Sequence, residues 1–264
     1  MAAACVGTTE DVVTIARPAH MGGDILHTAR FDLKAASRFS PGASSVSIYI
    51  EGDGFAWVTA TQPSQDPTPK NPLALHLAVA DSADSVVWLA RPCQYVGGQS
   101  GRNCNQSYWT DARYAAEVIS AYGEALDQIK AKSGASRIKL YGYSGGGTIV
   151  ALLAASRSDV EVMVTIAGLL DVGAWTAQGG MSPLRRSLDP AQQLGPLSRQ
   201  RQIHFAGAAD QAVPASVTRG FAAKMGHEDN FPLVVLPGYD HHCCWEEAWP
   251  GLLRRVEKEA RVPG

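Results

Sequence analysis

Short runs rich in β-branched residues alternate with segments of helical periodicity from about residue 44 to the C-terminus. The predicted strands of this region are 45–50, 85–90, 137–142, 160–167, 202–206 and 233–236, and the predicted helices are 73–80, 109–132, 148–156, 217–225 and 245–260. This alternation is typical of an α/β fold, in which helices cover both faces of a mostly parallel central sheet. Residues 1–264 are predicted to form a single domain.

Two segments depart from this alternation. Residues 12–16 and 25–33 precede it and are predicted to be leading strands that pair antiparallel. Residues 170–201 are rich in Gly, Pro, Gln and Ser with weak periodicity, and they are longer than an ordinary connection. We therefore predict a small cap-like insertion there, and its modest size favours short or medium acyl chains if the site binds an acyl group.

Composition narrows the possible partners. The chain has 264 residues, 45% of them hydrophobic, which is enough for a sizeable core. Because 23 basic residues nearly balance 25 acidic ones, for a formal net charge of −2, we expect no nucleic-acid partner and no attraction to an anionic membrane.

The five cysteines bear on location. Small residues run straight into Cys5, which resembles the end of a bacterial lipoprotein signal and indicates a possible lipid anchor. The other four cysteines suit two disulfides in an oxidising compartment. We predict an extracytoplasmic, cell-envelope or periplasmic location; the alternative is a cytoplasmic protein with free thiols.

Residues 142–146, Gly-Tyr-Ser-Gly-Gly, fit the pattern G-x-S-x-G between a predicted strand and an apolar helix. This context indicates a sharp turn that exposes Ser144 as a nucleophile. In this motif the chain resembles the α/β-hydrolases, and the resemblance covers roughly residues 44–256. The segments 50–54 (IEGDG), 91–95 (RPCQY) and 240–245 (DHHCCW) are similar to a bacterial subgroup of uncharacterised hydrolases.

The resemblance implies a catalytic order of serine, then acid, then histidine. His241 is the predicted base, in the Gly-x-x-His segment after the last strand, and His242 is the alternative. Asp210, shortly after the strand 202–206, is the predicted acid, and Asp171 is the alternative. The remaining histidines lie too early in the chain, or, for His227, in a polar stretch: His20, His27, His76, His204 and His227.

An oxyanion hole needs two N–H donors aimed at the developing charge. The N–H of Gly145 is the first predicted donor, because it follows the nucleophile. The second is the N–H of Asp53, with Gly54 as the alternative, because relatives often carry His-Gly where this chain has Glu51-Gly52. The Asp53 side chain should point away from the hole.

The cysteines admit several pairings. Cys93 with Cys104 and Cys243 with Cys244 are possible, and so is cross-pairing between the two regions. A metal site at 241–244 is disfavoured, since four consecutive residues cannot converge on one tetrahedral ion. Trp57 and Trp175 are the tryptophans best placed to line a pocket.

These features predict a serine hydrolase that cleaves small-molecule carboxylic esters through an acyl-enzyme and needs no cofactor. The alternatives are an acyltransferase or amidase with the same triad, and a non-catalytic surface-attached binding protein. The sequence does not determine the oligomeric state.

Overall fold

The computed structural model describes residues 11–226 and 232–260, so Cys5 and His227 lie outside the described residues. Eight strands form one sheet in the order β1-β2-β4-β3-β5-β6-β7-β8. They are β1 (Gly22–His27), β2 (Asp32–Arg38), β3 (Ser45–Ile50), β4 (Val86–Leu89), β5 (Arg137–Tyr143), β6 (Val160–Ile166), β7 (Gln202–Gly207) and β8 (Leu233–Leu236). β1 and β2 pair antiparallel, as do β2 and β4, and every other pairing is parallel.

The helices divide between the two faces of the sheet. They are α1 (Val12–Ala16), α2 (Leu73–Val79), α3 (Ala116–Ser133), α4 (Gly145–Ser156), α5 (Val172–Gln178), α6 (Leu194–Ser198), α7 (Ala215–Lys224) and α8 (Trp245–Ala260). The core on one face joins α3, α4, α6 and α7, and the core on the other joins α1, α2 and α8. Alternate residues of a strand serve opposite faces: Ile48 belongs to the first core and Tyr49 to the second.

The segment 12–16 was predicted to be a strand and is the helix α1. The Asp11 carboxylate accepts a hydrogen bond from the Thr14 N–H at 3.1 Å and caps the helix. Val12 and Ala16, four residues apart, are both buried on one side of it. Capping and burial therefore outweigh the strand preference of the β-branched residues.

The segment 25–33 was predicted to be one strand and is divided between β1 and β2. Thr28 and Phe31 close the turn between them, since the Thr28 N–H donates to the Phe31 carbonyl at 3.0 Å. The Thr28 hydroxyl accepts the Phe31 N–H, also at 3.0 Å. The turn lacks glycine and proline, the residues that usually mark one in a sequence.

The predicted helix 109–132 begins only at Ala116, in α3. Residues 110–115 instead form turns, which bring Arg113 and Tyr114 to the Asp53 carboxylate in the loop after β3. The predicted end is as expected: Gly134 has a φ of 73°, and its N–H donates to the Lys130 carbonyl.

The segment 170–201 contains α5, a 3₁₀ turn at Pro190–Gln192, and α6. Its loop after α5 borders the cavity described below. No helix among residues 11–226 and 232–260 is long and apolar enough to cross a bilayer.

Candidate active site

Ser144 lies in the sharp turn between β5 and α4. Its φ is 52°, in the positive range that non-glycine residues seldom adopt. Small neighbours are required here: a Cβ added to Gly142 would collide with the Gly146 carbonyl, and one added to Gly146 would collide with that of Ile50. The serine is thus held at the N-terminus of α4, where the helix dipole favours negative charge.

A hydrogen-bonded chain joins Ser144, His241 and Asp210. Nε2 of His241 lies 2.9 Å from Oγ of Ser144, and Nδ1 lies 2.8 Å from Oδ2 of Asp210. Oδ1 of Asp210 accepts the N–H groups of Ala212 and Val213, each at 2.8 Å, which fixes the carboxylate. Because the carboxylate can only accept from Nδ1–H, the Nε2 lone pair faces the serine hydroxyl.

His242 occupies a neighbouring position outside this chain of hydrogen bonds. The Tyr143 hydroxyl donates its one proton to the His241 carbonyl at 3.0 Å, so toward Nδ1 of His242, 3.1 Å away, it is an acceptor. The Asp240 carboxylate accepts the N–H groups of His242 and Cys243, and these hydrogen bonds hold the pKa of Asp240 below its usual value. The turn that carries both histidines is thereby fixed.

The alternative acid lies away from the histidine. Asp171 caps α5 by accepting the Ala174 N–H, and it forms an ion pair with Lys224 at 2.6 Å.

Of the early histidines, His204 is fully buried within β7, beside Thr165, and burial lowers its pKa to about 3.

The loop after β3 passes directly beside the serine, since a Cβ added to Gly52 would lie 3.2 Å from Cβ of Ser144. Two buried side chains orient its backbone. Oε1 of Glu51 accepts the Gly52 N–H at 3.0 Å, and Nε2 of Gln94 donates to the Gly52 carbonyl at 3.0 Å. Across a trans peptide the N–H of Asp53 points opposite to that carbonyl, and hence away from Gln94.

The Asp53 side chain is held by two arginines. Its carboxylate pairs with Arg91 at 2.8 Å and Arg113 at 2.7 Å, and it accepts a hydrogen bond from the Tyr114 hydroxyl at 3.1 Å. Burial alone would raise the pKa of Asp53, but the charges of Arg113 and Arg91 outweigh it and hold that pKa below the ordinary value. The carboxylate is therefore ionised and neutralised, and the cluster carries one net positive charge.

Gly145 packs against this cluster. A Cβ at residue 145 would collide with Oδ1 of Asp53 and lie 2.7 Å from the Tyr114 hydroxyl. The two segments that supply the predicted oxyanion donors are thus in direct contact.

Ser144 and His241 line a cavity of about 1370 Å³, bordered by the loop after β3 and the loop after α5. Trp57 and Trp175 both line it, and the Trp175 Nε1–H donates to the Ala212 carbonyl at 2.7 Å. Glu51 also lines the cavity. Burial raises the pKa of Glu51 above its usual value, although the hydrogen bonds from Gly52 and Trp88 act in the opposite direction.

The disulfides pair Cys93 with Cys104 and Cys243 with Cys244. The first pins the loop that carries Gln94, and the second follows directly on His242. In the described part of the chain, no group of three His, Cys, Asp or Glu side chains is arranged to hold a metal ion.

The sequence analysis missed the residues that support the site: Glu51, Arg91, Gln94, Arg113, Tyr114 and Tyr143. Glu51, Arg91 and Gln94 stand in the segments 50–54 and 91–95, whose resemblance to a subgroup of hydrolases was the one available signal. Arg113 and Tyr114 carried no signal, because residues 110–115 were assigned to a helix.

The sequence matches no protein-family profile and no curated protein sequence. Solved structures do resemble it. The esterase Est1E from Butyrivibrio proteoclasticus superposes with a TM-score of 0.62 at 14% identity, over 90% of this chain and 98% of the esterase. A serine hydrolase without a lid from Xanthomonas campestris gives 0.59 at 15% identity, over 92% and 97%.

An esterase from Pyrococcus furiosus gives a TM-score of 0.64 at 12% identity, over 92% of both chains. The superpositions span nearly the whole of each protein, so the likeness extends over the fold and is not confined to one motif. They confirm the predicted fold class.

Proposed function

Since this chain has the α/β-hydrolase fold, we propose that it is a serine hydrolase that cleaves carboxylic esters through an acyl-enzyme. The observation that carries the proposal is the chain of hydrogen bonds from Asp210 through His241 to Ser144. It supplies a nucleophile, a base with its lone pair toward the nucleophile, and an acid that orients the base.

In the proposed reaction, Oγ of Ser144 attacks the ester carbonyl carbon while Nε2 of His241 takes the hydroxyl proton. The N–H groups of Gly145 and Asp53 stabilise the negative oxygen of the tetrahedral intermediate. The carbon–oxygen bond to the alcohol then breaks, and His241 returns the proton to the departing alcohol. Water then attacks the acyl-enzyme by the same steps, with His241 as the base, and the acid is released as Ser144 regains its proton.

Support for the two donors comes from the loop after β3. The Gly52–Asp53 peptide lies beside Ser144 with its carbonyl bound by Gln94, which leaves the Asp53 N–H free to face the opposite side. The net positive charge of Asp53, Arg91 and Arg113 behind Gly145 would also favour an oxyanion.

The test combines labelling with a fluorophosphonate probe and rates on a panel of p-nitrophenyl esters. Ser144→Ala should abolish labelling and lower turnover by roughly 10⁴- to 10⁶-fold, and His241→Ala should fall to a similar level, because triad members act as a unit. His242→Ala is the matched control and should keep most of the activity. Inactivation by His242→Ala but not by His241→Ala would assign the base to the other histidine.

We also propose that the protein works in an oxidising compartment, with Cys5 as a lipid attachment site. The two disulfides support this location. Intact-mass analysis with peptide mapping, after alkylation of never-reduced protein from an oxidising compartment, should find Cys93, Cys104, Cys243 and Cys244 unmodified. Four alkylated thiols at these positions would reject the proposal.

A further inference from the structure

Exposed apolar side chains are concentrated at one cavity. Seven large hydrophobic residues are markedly exposed among the described residues, and four of them line the cavity that contains Ser144. These four, which we call the apolar mouth, are Phe55, Trp57, Val58 and Met181. Single exposed hydrophobic residues are ordinary on a protein surface, whereas a cluster at a concave site marks a binding surface.

The apolar mouth has two sides built on ordered backbone. On one side, Trp57 pairs with Pro63 in a short bridge, and the Val58 N–H donates to the Gln62 carbonyl at 2.8 Å. On the other side, the Met181 N–H donates to the Thr176 carbonyl at 2.8 Å. Both sides are therefore in place before a ligand arrives, which reduces the entropy lost on binding.

Three charged groups that line the cavity have an oppositely charged partner: Asp53, Arg113 and Asp111. Arg113 pairs with Asp53 at 2.7 Å, and Asp111 lies 3.8 Å from Arg186. Nζ of Lys70 lies 5.3 Å from the centre of the Phe55 ring, within the range of a cation–π contact. A neutral apolar group thus suits this cavity better than a charged one.

The size of the cavity sets the scale of the ligand. At about 1370 Å³ it exceeds the roughly 300–1,000 Å³ of common small-molecule sites. This volume favours a larger ligand than the short acyl chain that the modest cap predicts.

We infer that the site takes neutral esters with one bulky apolar group, aromatic or branched, which packs between Trp57 and Met181 while the ester carbonyl reaches Ser144. The inference rests on the proposed ester hydrolysis and adds the substrate class to it. Contacts that such a group makes in the transition state should raise kcat/KM. A small ester that does not reach the apolar mouth makes no such contacts, so its kcat/KM should not depend on these residues.

The experiment compares 2-naphthyl butyrate with ethyl acetate, both below their solubility limits, in a pH-stat. The ratio of variant to wild-type kcat/KM cancels the different intrinsic reactivities of the two esters. The double variant Trp57→Ser/Met181→Ser should lose about tenfold or more on 2-naphthyl butyrate and less than about twofold on ethyl acetate. Because both side chains are about 40% exposed, the variant should remain folded, as a thermal melt would verify.

Leu188→Ser is the matched control. Leu188 lies in the same insertion as Met181 and is equally exposed, at 41%, but it does not line the cavity. It should leave both rates unchanged. An equal loss on both esters in the double variant, or no loss on either, would overturn the inference.

Two further outcomes are distinguishable. If wild-type protein hydrolyses neither ester and resists the fluorophosphonate, the proposed function itself fails. If the double variant loses activity only on emulsified 2-naphthyl butyrate above its solubility limit, the apolar mouth contacts a lipid surface and the substrate assignment is wrong.

Discussion

The peptide between Gly52 and Asp53 shows how single side chains can set the direction of one N–H group. Gln94 is fully buried, and Nε2 of its amide donates to the Gly52 carbonyl. Oε1 of the same amide accepts the backbone N–H of Arg91 at 3.0 Å. We expect Gln94 to be a positioning residue. It holds the peptide so that the proposed oxyanion donor faces the substrate.

Gln94→Ala should lower kcat about tenfold or more while KM changes little, because the lost contact matters only when the oxyanion forms. Steady-state kinetics on one p-nitrophenyl ester measures this split. Gln106→Ala is the control, since Nε2 of Gln106 donates to the Ser64 carbonyl at 3.1 Å, farther along the loop after β3 and away from Ser144. A matching rise in KM, or an equal loss in both variants, would count against a positioning role.

Gly145 has no room for a side chain. Gly145→Ala would press a methyl group against the Asp53 carboxylate and the Tyr114 hydroxyl, so we expect lower stability and loss of fluorophosphonate labelling. The control is Gly123→Ala in α3, where an added Cβ meets nothing within 4 Å. That change should stabilise the protein by about 0.5–1 kcal/mol, because alanine is the better helix former. Unimpaired labelling of Gly145→Ala would contradict this prediction, because it would show that Asp53 and Tyr114 can shift to make room for the methyl group.

At the scale of elements, the two disulfides differ in access. Cys93 is fully buried, whereas Cys243 is exposed directly beside the segment that carries His241. Thiol exchange requires access to the sulfur, so mild reductant should open the bridge between Cys243 and Cys244 first.

We expect that opening to lower the proposed ester hydrolysis several-fold with the fold intact, because the turn that carries His241 becomes more flexible. Thiol titration should then find two more thiols per molecule than before the reductant was added, with unchanged circular dichroism. The double variant Cys243→Ser/Cys244→Ser should show a low, reductant-insensitive rate. Activity that falls only as the protein unfolds would contradict this order of events.

The elements that the sequence predicted correctly are those whose pattern is set locally. Strands such as β3 and β8 and the turn at Ser144 follow from β-branched runs and small residues that neighbour them in the chain. The start of α3 did not follow, because residues 110–115 are held by partners far away: Arg113 by Asp53, and the Tyr114 N–H by the Ser187 hydroxyl at 3.1 Å. The same holds for the site. A motif marks the proposed nucleophile, Ser144, whereas nothing local reveals that two arginines converge on Asp53.

At the scale of the whole molecule, an ion-pair cluster links three elements at the edge opposite the site. Asp159, just before β6, contacts Arg157, just after α4, at 2.6 Å, and Lys130 of α3, also at 2.6 Å. The hydrogen bond from Arg157, with that from Lys130, lowers the pKa of Asp159 from the ordinary 3.8 to about 2. The contribution of the ionised Asp159 carboxylate to the stability of the fold is therefore present above pH 3.8 and is lost as the pH falls through about 2.

Asp159→Asn should remove that pH dependence and cost on the order of 1 kcal/mol at neutral pH, a figure reduced for solvent screening. Urea unfolding at pH 6 and at the acid end of the window measures both. Asp127→Asn is the control, because Asp127 also contacts Arg157, at 2.8 Å, but its side chain is 68% exposed. A wild type and an Asp159→Asn variant with parallel pH profiles would refute the assignment.

The exposure of Trp57 at the apolar mouth has an optical consequence. Of the six tryptophans, Trp88, Trp245 and Trp249 are fully buried, whereas Trp57 has 39% of its surface in contact with solvent. Iodide in solution should therefore quench the emission of Trp57 far more than that of these three. A ligand seated at the mouth would shield Trp57 and remove part of that quenching. Occupancy of the site can thus be followed in light emission, on the Ser144→Ala variant and with no turnover at all.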